Sequence, residues 1–362
     1  MKMELDSLLK EAYEYNDESP RKTELLQKAY TLAQTIQDVE QQLNIGKDLV
    51  QASQWSGNSP VALSIFPQLL TLADKNPQLE GNYSMLWEYK WVITDLPDFP
   101  TITKKQIFAA LKDMENRYKK AGYGRKVIDH YYSIIYLQLG MIDQAKEFAL
   151  LAIKSKGDSY MQDCIACVKL ANFKLSCHTE SLDNALKIGQ PLFDKKYSCS
   201  SVPVGAYAYI LPFLLNAGKM KYAKKIFEQY YEVMDQDSDF YHEPILYCIK
   251  SKQFTKALEL LGKDTSKFLE SSSSFYSPLK DIDCFQYALS FWYLCDQIVR
   301  AGKTKIKFIF HEDFILYNST NSYVIKELLD FFKTETLALA KSFDQRNENN
   351  FISNQIIETF NY

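Results

Sequence analysis

Glycine and proline are scarce, with only 12 and 11 in a chain of 362 residues. So few turn formers exclude β folds made of many short strands and leave no room for low-complexity linkers. Histidine is rarer still: His130, His178, His242 and His311 are the full set and stand in no catalytic spacing. His242-Glu243 lacks the second histidine of a zinc-protease helix, and His130, beside Tyr131-Tyr132, reads as a packing or hydrogen-bonding residue. Neither sign of charge dominates, since Lys+Arg 42 against Asp+Glu 45 leaves a net charge of −3. That exerts no general pull toward nucleic acid or an anionic bilayer. Phosphate-binding loops, nucleophile elbows and dinucleotide glycine patterns are missing, and Gly122-Tyr123-Gly124 reads as a helix–helix turn.

Long hydrophobic runs are lacking too. Val202 to Leu215 is the densest, but it is interrupted by Pro203 and Pro212 and falls short of the ~20 residues a spanning helix needs. Leu49 to Ala73 carries too many Gln, Ser and Asn side chains to enter hydrocarbon. The N-terminus is charged where a secretory signal needs an apolar stretch. Seven cysteines, an odd number, fit reduced thiols better than a disulfide framework. A soluble cytoplasmic protein is expected.

What is abundant is apolar and aromatic material, 46% and 14% of residues, enough for a large core. Its spacing is helical. Leu25, Leu26, Ala29, Tyr30, Leu32, Ala33 and Ile36 share one face, and Ile107–Tyr118, Ile128–Leu139, Ala145–Ile153, Tyr222–Met234 and Tyr287–Val299 read the same way. Thr103 and Gln106 are spaced for a capping box. Lys303–Phe314 departs from this pattern: Lys305, Lys307 and Phe308 alternate imperfectly with Ile306, Ile309 and Phe310, which suits a short extended segment. Helix is expected again from Ser322 to about Phe343, with an Asn-rich tail from Asp344 that caps or frays.

The helix breaks repeat. Gly140 lies five residues before Ala145 and Gly218 five before Ala223, while the segments leading to Ala185 and Ala257 copy the pattern without glycine. The alanines are 40, 38 and 34 residues apart, near the period of about 34 of tetratricopeptide hairpins. A small alanine lets the second helix of a hairpin approach the first, and glycine supplies a left-handed turn. The expected fold is all-α: a right-handed α-solenoid of tetratricopeptide-like (TPR-like) helix hairpins with a short extended segment near 303–314. One continuous repeat domain, 1–362, is expected, with N-terminal hairpins over 1–150, TPR-like hairpins over 151–302 and a capping region over 303–362.

Several stretches carry a family resemblance. They are Leu86-Trp87-Glu88-Tyr89-Lys90-Trp91-Val92 with Leu96-Pro97-Asp98-Phe99-Pro100, then Asp113-Met114-Glu115-Asn116-Arg117-Tyr118. Asp163-Cys164-Ile165-Ala166-Cys167, Cys199-Ser200-Ser201-Val202-Pro203 and Leu211-Pro212-Phe213-Leu214-Leu215 follow. Ala257-Leu258-Glu259-Leu260-Leu261 and Phe343-Asp344-Gln345-Arg346-Asn347 complete the series. In order and spacing this resembles a widespread group of bacterial tetratricopeptide-like proteins. The resemblance implies a helical-repeat fold and no particular reaction. This chain departs from the group in lacking a glycine after Arg346-Asn347 and in being poorer in Ala and richer in Lys, Tyr and Phe.

Two sets of side chains are candidates for function. Cys164-x-x-Cys167 supplies two sulfurs of a zinc knuckle, which Cys199 and either Cys177 or His178 would complete. The competing reading is buried free thiols, because cysteine packs well as a small hydrophobe. A thioredoxin-like role is disfavoured without a βαβ context. Lys90, bracketed by Trp87, Tyr89 and Trp91, either covers a core helix face with its stem or faces a groove toward an acidic or peptide partner. Tyr207, Tyr209, Tyr230 and Tyr231 are candidates for lining a groove that recognises protein. Ser271–Ser274 reads as a polar loop.

These features favour a non-enzymatic scaffold that binds a protein or peptide on a concave repeat surface, without nucleic acid or membrane as partner. An immunity or antitoxin-like protein acting on a cognate toxin is one version. A peptide-sensing regulator is the alternative, although residues 1–60 show no basic recognition helix. An enzyme using the cysteines is disfavoured. No cofactor is expected beyond the zinc reading.

Overall fold

The computed structural model describes residues 1–79, 85–155, 160–234, 242–269 and 280–361. Ser271–Ser274 lies outside them. The described residues are mostly helical, with two three-residue strands. Contacts gather into two compact units, one of residues 1–123 with Lys280, the other of the described residues from Gly124 to Asn361 apart from Lys280. The division falls at the Gly122 turn, beside the single continuous body expected from the repeats.

The first unit contains α1 (Lys2–Ala12), α2 (Pro20–Thr35), α3 (Val39–Trp55), α4 (Ser59–Lys75), α5 (Leu86–Asp95) and α6 (Lys104–Lys120). Each packs on the next. Leu25, Leu26, Ala29, Tyr30 and Ala33 of α2 are buried, as their spacing requires. Gly46 of α3 leaves room for Leu69 of α4, since a Cβ there would meet Leu69 Cδ2 at 2.3 Å. Thr103 caps α6 in the expected box, its hydroxyl accepting from the Gln106 N–H while the Gln106 amide oxygen accepts from the Thr103 N–H.

The second unit begins with four consecutive pairs. They are α7 (Arg125–Gln138) with α8 (Ile142–Lys154), α9 (Ile165–Thr179) with α10 (Leu182–Phe193), α11 (Val204–Asn216) with α12 (Met220–Val233), and α13 (His242–Lys250) with α14 (Phe254–Leu269). Then come α15 (Asp281–Arg300), the strands β1 (Lys305–Lys307) and β2 (Ser322–Val324), α16 (Ile325–Asn347) and α17 (Phe351–Phe360). Within each pair the helices pack together, and the first helices also pack in series, α9 on α11, α11 on α13 and α13 on α15. Ala145, Ala185, Ala223 and Ala257 are fully buried in the second helices, where a larger side chain would hold the pair apart.

The turns share one hydrogen-bond device. After α7, α11 and α13 the chain enters the left-handed region at Gly140 (φ 71°), Gly218 (φ 65°) and Lys252 (φ 60°). The N–H of the following residue then donates to a carbonyl five positions back: Met141 to Tyr136, Lys219 to Leu214 and Gln253 to Cys248. This closes the helix end by the Schellman pattern. Lys252 therefore does without glycine what Gly140 and Gly218 do with it, at a cost of about 1 kcal/mol or more in backbone strain.

Two expectations near the C-terminus need correction. The strand falls within 303–314, but its inward residues are Ile306, Phe308 and Phe310 while Ile309 is exposed. Antiparallel pairing of Ile306 with Tyr323 draws Ser322–Val324 into a second strand, so the helix starts at Ile325 rather than Ser322. The inward aromatics pack against Phe291 of α15 and Phe332 of α16, whose rings stack 4.5 Å apart. Of the two readings of the tail, it caps rather than frays. α17 buries Ile352, Ile356 and Thr359 on one face, packs on α15 and α16, and brings Phe351 against Gly140. Asn349 Nδ2 donates to the Leu139 carbonyl at 2.8 Å. In a simple repeat array each hairpin touches only its neighbours; here the C-terminal segment returns to the first pair.

Candidate functional site

The sulfur site is built on the start of α9. Cys164 is the residue before the helix, with extended backbone, and its Sγ accepts the Cys167 N–H at 3.4 Å. Side chains of Cys, like those of Ser, can satisfy a helix's orphan N–H groups at this position. One turn on, Cys167 faces the segment after α10, where Cys199 and Val202 exchange backbone hydrogen bonds of 3.0 and 3.2 Å. This tight turn aims Cys199 Sγ to within 3.5 Å of Cys167 Sγ. The three sulfurs all lie within 4.8 Å of one another. Cys164 is exposed, and Cys167 and Cys199 are half-buried.

Their electrostatics differ. Burial alone would raise the Cys164 thiol, but N–H groups of Cys167 and Ala166 and the two neighbouring thiols hold it below the ordinary thiol range. Burial, followed by the thiols of Cys164 and Cys199, pushes Cys167 far up. Cys164 and Cys167, one turn apart, are therefore shifted in opposite directions.

Cys177 and His178, expected as alternative fourth ligands, lie elsewhere. Cys177 is ten residues past Cys167 on the same helix, about 15 Å at 1.5 Å per residue. It is buried outside the sulfur group, with its thiol pushed up to about 12 by burial. His178 Nε2 lies 2.7 Å from the Tyr209 hydroxyl, and its ring meets Phe213 and Phe351 at 5.3 and 5.7 Å. Burial lowers His178 to about 4.

The expected groove aromatics are dispersed in role. Tyr207 is fully buried and donates to the Phe193 carbonyl at 2.8 Å. Tyr230 is buried as well, and Tyr209 is committed to His178. Tyr231 is 43% exposed, stacked beside Phe227 with Lys256 Nζ 3.5 Å from its ring centre. Of the four tyrosines, Tyr231 offers the most surface. Lys90 reverses the expected arrangement, because the lysine is fully buried and Trp87 is 39% exposed. Its Nζ sits 3.3 Å from the Trp87 ring centre, a desolvated cation–π contact. Lys90 is thus a packed residue of α5 with no surface to offer a partner.

A cleft with no sequence motif to mark it lies among α7, α8 and α9. Its volume is about 250 Å³, and Lys126, Val127, His130, Ala152, Ile153, Gln162, Asp163 and Asn172 are among its lining residues. His130 Nε2 is 3.9 Å from Asp163 Oδ2, which accepts from the Tyr131 hydroxyl at 2.7 Å. Apolar walls with a few fixed polar groups are the usual make-up of a recognition pocket. No helix among the described residues is long and apolar enough to cross a membrane. No protein-family model matches the chain, and no curated protein does either.

Proposed function

We propose that the chain is a non-enzymatic scaffold that holds a protein or peptide partner, its paired helices forming a right-handed solenoid of tetratricopeptide type in the cytoplasm. The observation that carries this reading is the cleft of about 250 Å³ among α7, α8 and α9. It combines a cation, a carboxylate and an imidazole with an apolar wall, the mixture suited to a peptide segment with one charged anchor. Ile153, 70% exposed at its rim, is a ready contact for an apolar side chain. An immunity protein that masks a toxin is a specific form of the same activity, supported by the resemblance to bacterial tetratricopeptide-like proteins. A photo-crosslinking residue at position 153 should capture a partner that the same residue at exposed Ile309 does not. Combined with the crosslinking residue at position 153, Lys126→Glu and Asn172→Glu, both on the cleft lining, should each abolish that capture without changing the circular dichroism. Undiminished capture by both folded variants would overturn the assignment of the cleft.

A further inference from the structure

We propose that Cys164, Cys167 and Cys199 hold one zinc ion, with a fourth position open to water, and that this ion clasps the turn before α11 to the first turn of α9. This goes beyond the scaffold reading and stands without it.

Geometry supplies the first argument. Zinc–thiolate bonds of about 2.3 Å in a tetrahedron set sulfurs about 3.8 Å apart. The Cys167–Cys199 separation is 3.5 Å, and no pair in the group exceeds 4.8 Å. Small rotamer adjustments would bring all three onto one ion. The sulfurs come from segments 32 residues apart in sequence, so their meeting follows from the fold and not from adjacency. The backbone already holds both ends, through the Cys167 N–H on Cys164 Sγ and the paired hydrogen bonds of Cys199 with Val202.

Location supplies the second. Cys177, Cys248, Cys284 and Cys295 are all buried, as expected of cysteines that serve as small hydrophobes. The three clustered cysteines are instead exposed or half-buried, where packing gives no reason for thiols to converge.

The donor set then selects the ion. Three soft sulfurs without a carboxylate suit zinc or copper(I), whereas magnesium and calcium demand oxygen. Iron–sulfur clusters take four protein ligands, and among the described residues no fourth His, Cys, Asp or Glu joins the group. Exposure of Cys164 leaves one side of the site to solvent, which zinc accepts by completing its tetrahedron with water. The ion would add a clasp between the start of α9 and the turn before α11, beside the packing of α9 and α10 on α11.

The test uses the full untagged chain, purified under reducing conditions without added metal. Elemental analysis should find one zinc per chain, and cobalt(II) replacement should give a thiolate-to-metal charge-transfer band with the strong visible absorption of a four-coordinate ion. Cys164→Ser and Cys199→Ser should each reduce zinc to background, while Cys177→Ser keeps it. Alkylation read by mass spectrometry covers the case in which a variant misfolds: in the unmutated chain, zinc should protect Cys164, Cys167 and Cys199, and chelation should release all three together. The proposal is overturned if the reduced chain takes up no zinc or if folded Cys164→Ser and Cys199→Ser retain it. Uptake of copper(I) alone, or isolation of a Cys167–Cys199 disulfide that persists under reduction, would overturn it as well.

Discussion

Phe351 lies directly over Gly140, so close that a Cβ added to the glycine would fall 2.4 Å from the Phe351 Cβ. Two constraints coincide there, since Gly140 also has φ 71°. Gly218 has nearly the same backbone, φ 65°, but no atom within 4 Å of its would-be Cβ. Gly218→Ala should therefore lose only the left-handed strain, about 1–2 kcal/mol. Gly140→Ala should lose at least that much and also push α17 away from the α7–α8 turn. Urea denaturation of both variants checks the ranking, and equal losses would show that the Phe351 contact contributes nothing.

Asp344 fixes where α17 begins. Its two carboxylate oxygens accept the N–H groups of Ile352 and Ser353 at 3.0 and 3.1 Å, from a buried position on α16. A carboxylate at a helix N-terminus satisfies orphan donors and opposes the helix dipole. Asp344→Ala should cost about 1–2 kcal/mol, in line with loss of a capping side chain. Hydrogen exchange should localise the loosening to α17, and uniform acceleration throughout the second unit would argue for a wider role.

Much of this architecture was legible because it is written locally. Ala145, Ala185, Ala223 and Ala257 are buried where their hairpins need a small side chain, and a five-residue offset from glycine exposes the turn. Lys252 adopts the same turn without glycine, so nothing at that position announces it. α17 was obscured by composition: Asn349, Asn350 and Asn354 suggest a frayed tail, yet Ile352, Ile356 and Phe360 keep a four-residue step. The convergence of Cys199 on Cys164 and Cys167 was readable as a possibility. Cys177 cannot join them, because ten residues of α9 separate it from Cys167. The α7–α9 cleft left no signal because it depends on how three helices meet rather than on any motif.

Arg117 ties three helices of the first unit together. Its Nη1 and Nη2 form a fork on Asp74 at 2.8 and 2.7 Å, and Nε reaches Asp113 at 2.7 Å. Tyr89 donates to the same Asp113 carboxylate at 2.9 Å. The planar guanidinium is what permits all three bonds, and lysine can replace at most a part of them. Arg117→Lys should cost about 1–2 kcal/mol despite keeping the charge. A double-mutant cycle with Asp74→Asn should return a coupling of similar size, and a coupling near zero would mark the fork as an exposed pair of little consequence.

His178 gives the fold a sensitivity to acid. Burial lowers its folded pKa from 6.5 to about 4, with the ring held against Tyr209, Phe213 and Phe351. Between those values the unfolded chain binds a proton that the folded chain refuses, so stability rises with pH across the window. The contribution is fully present above about pH 6.5 and is lost progressively as pH falls toward 4, reaching roughly 2–3 kcal/mol. His178→Gln can still meet the Tyr209 hydroxyl but does not titrate. Its stability should therefore fall less steeply between pH 6.5 and 4 than that of the unmutated chain. Parallel slopes in urea titrations across that range would show that His178 stays neutral in both states, or that other groups dominate acid unfolding.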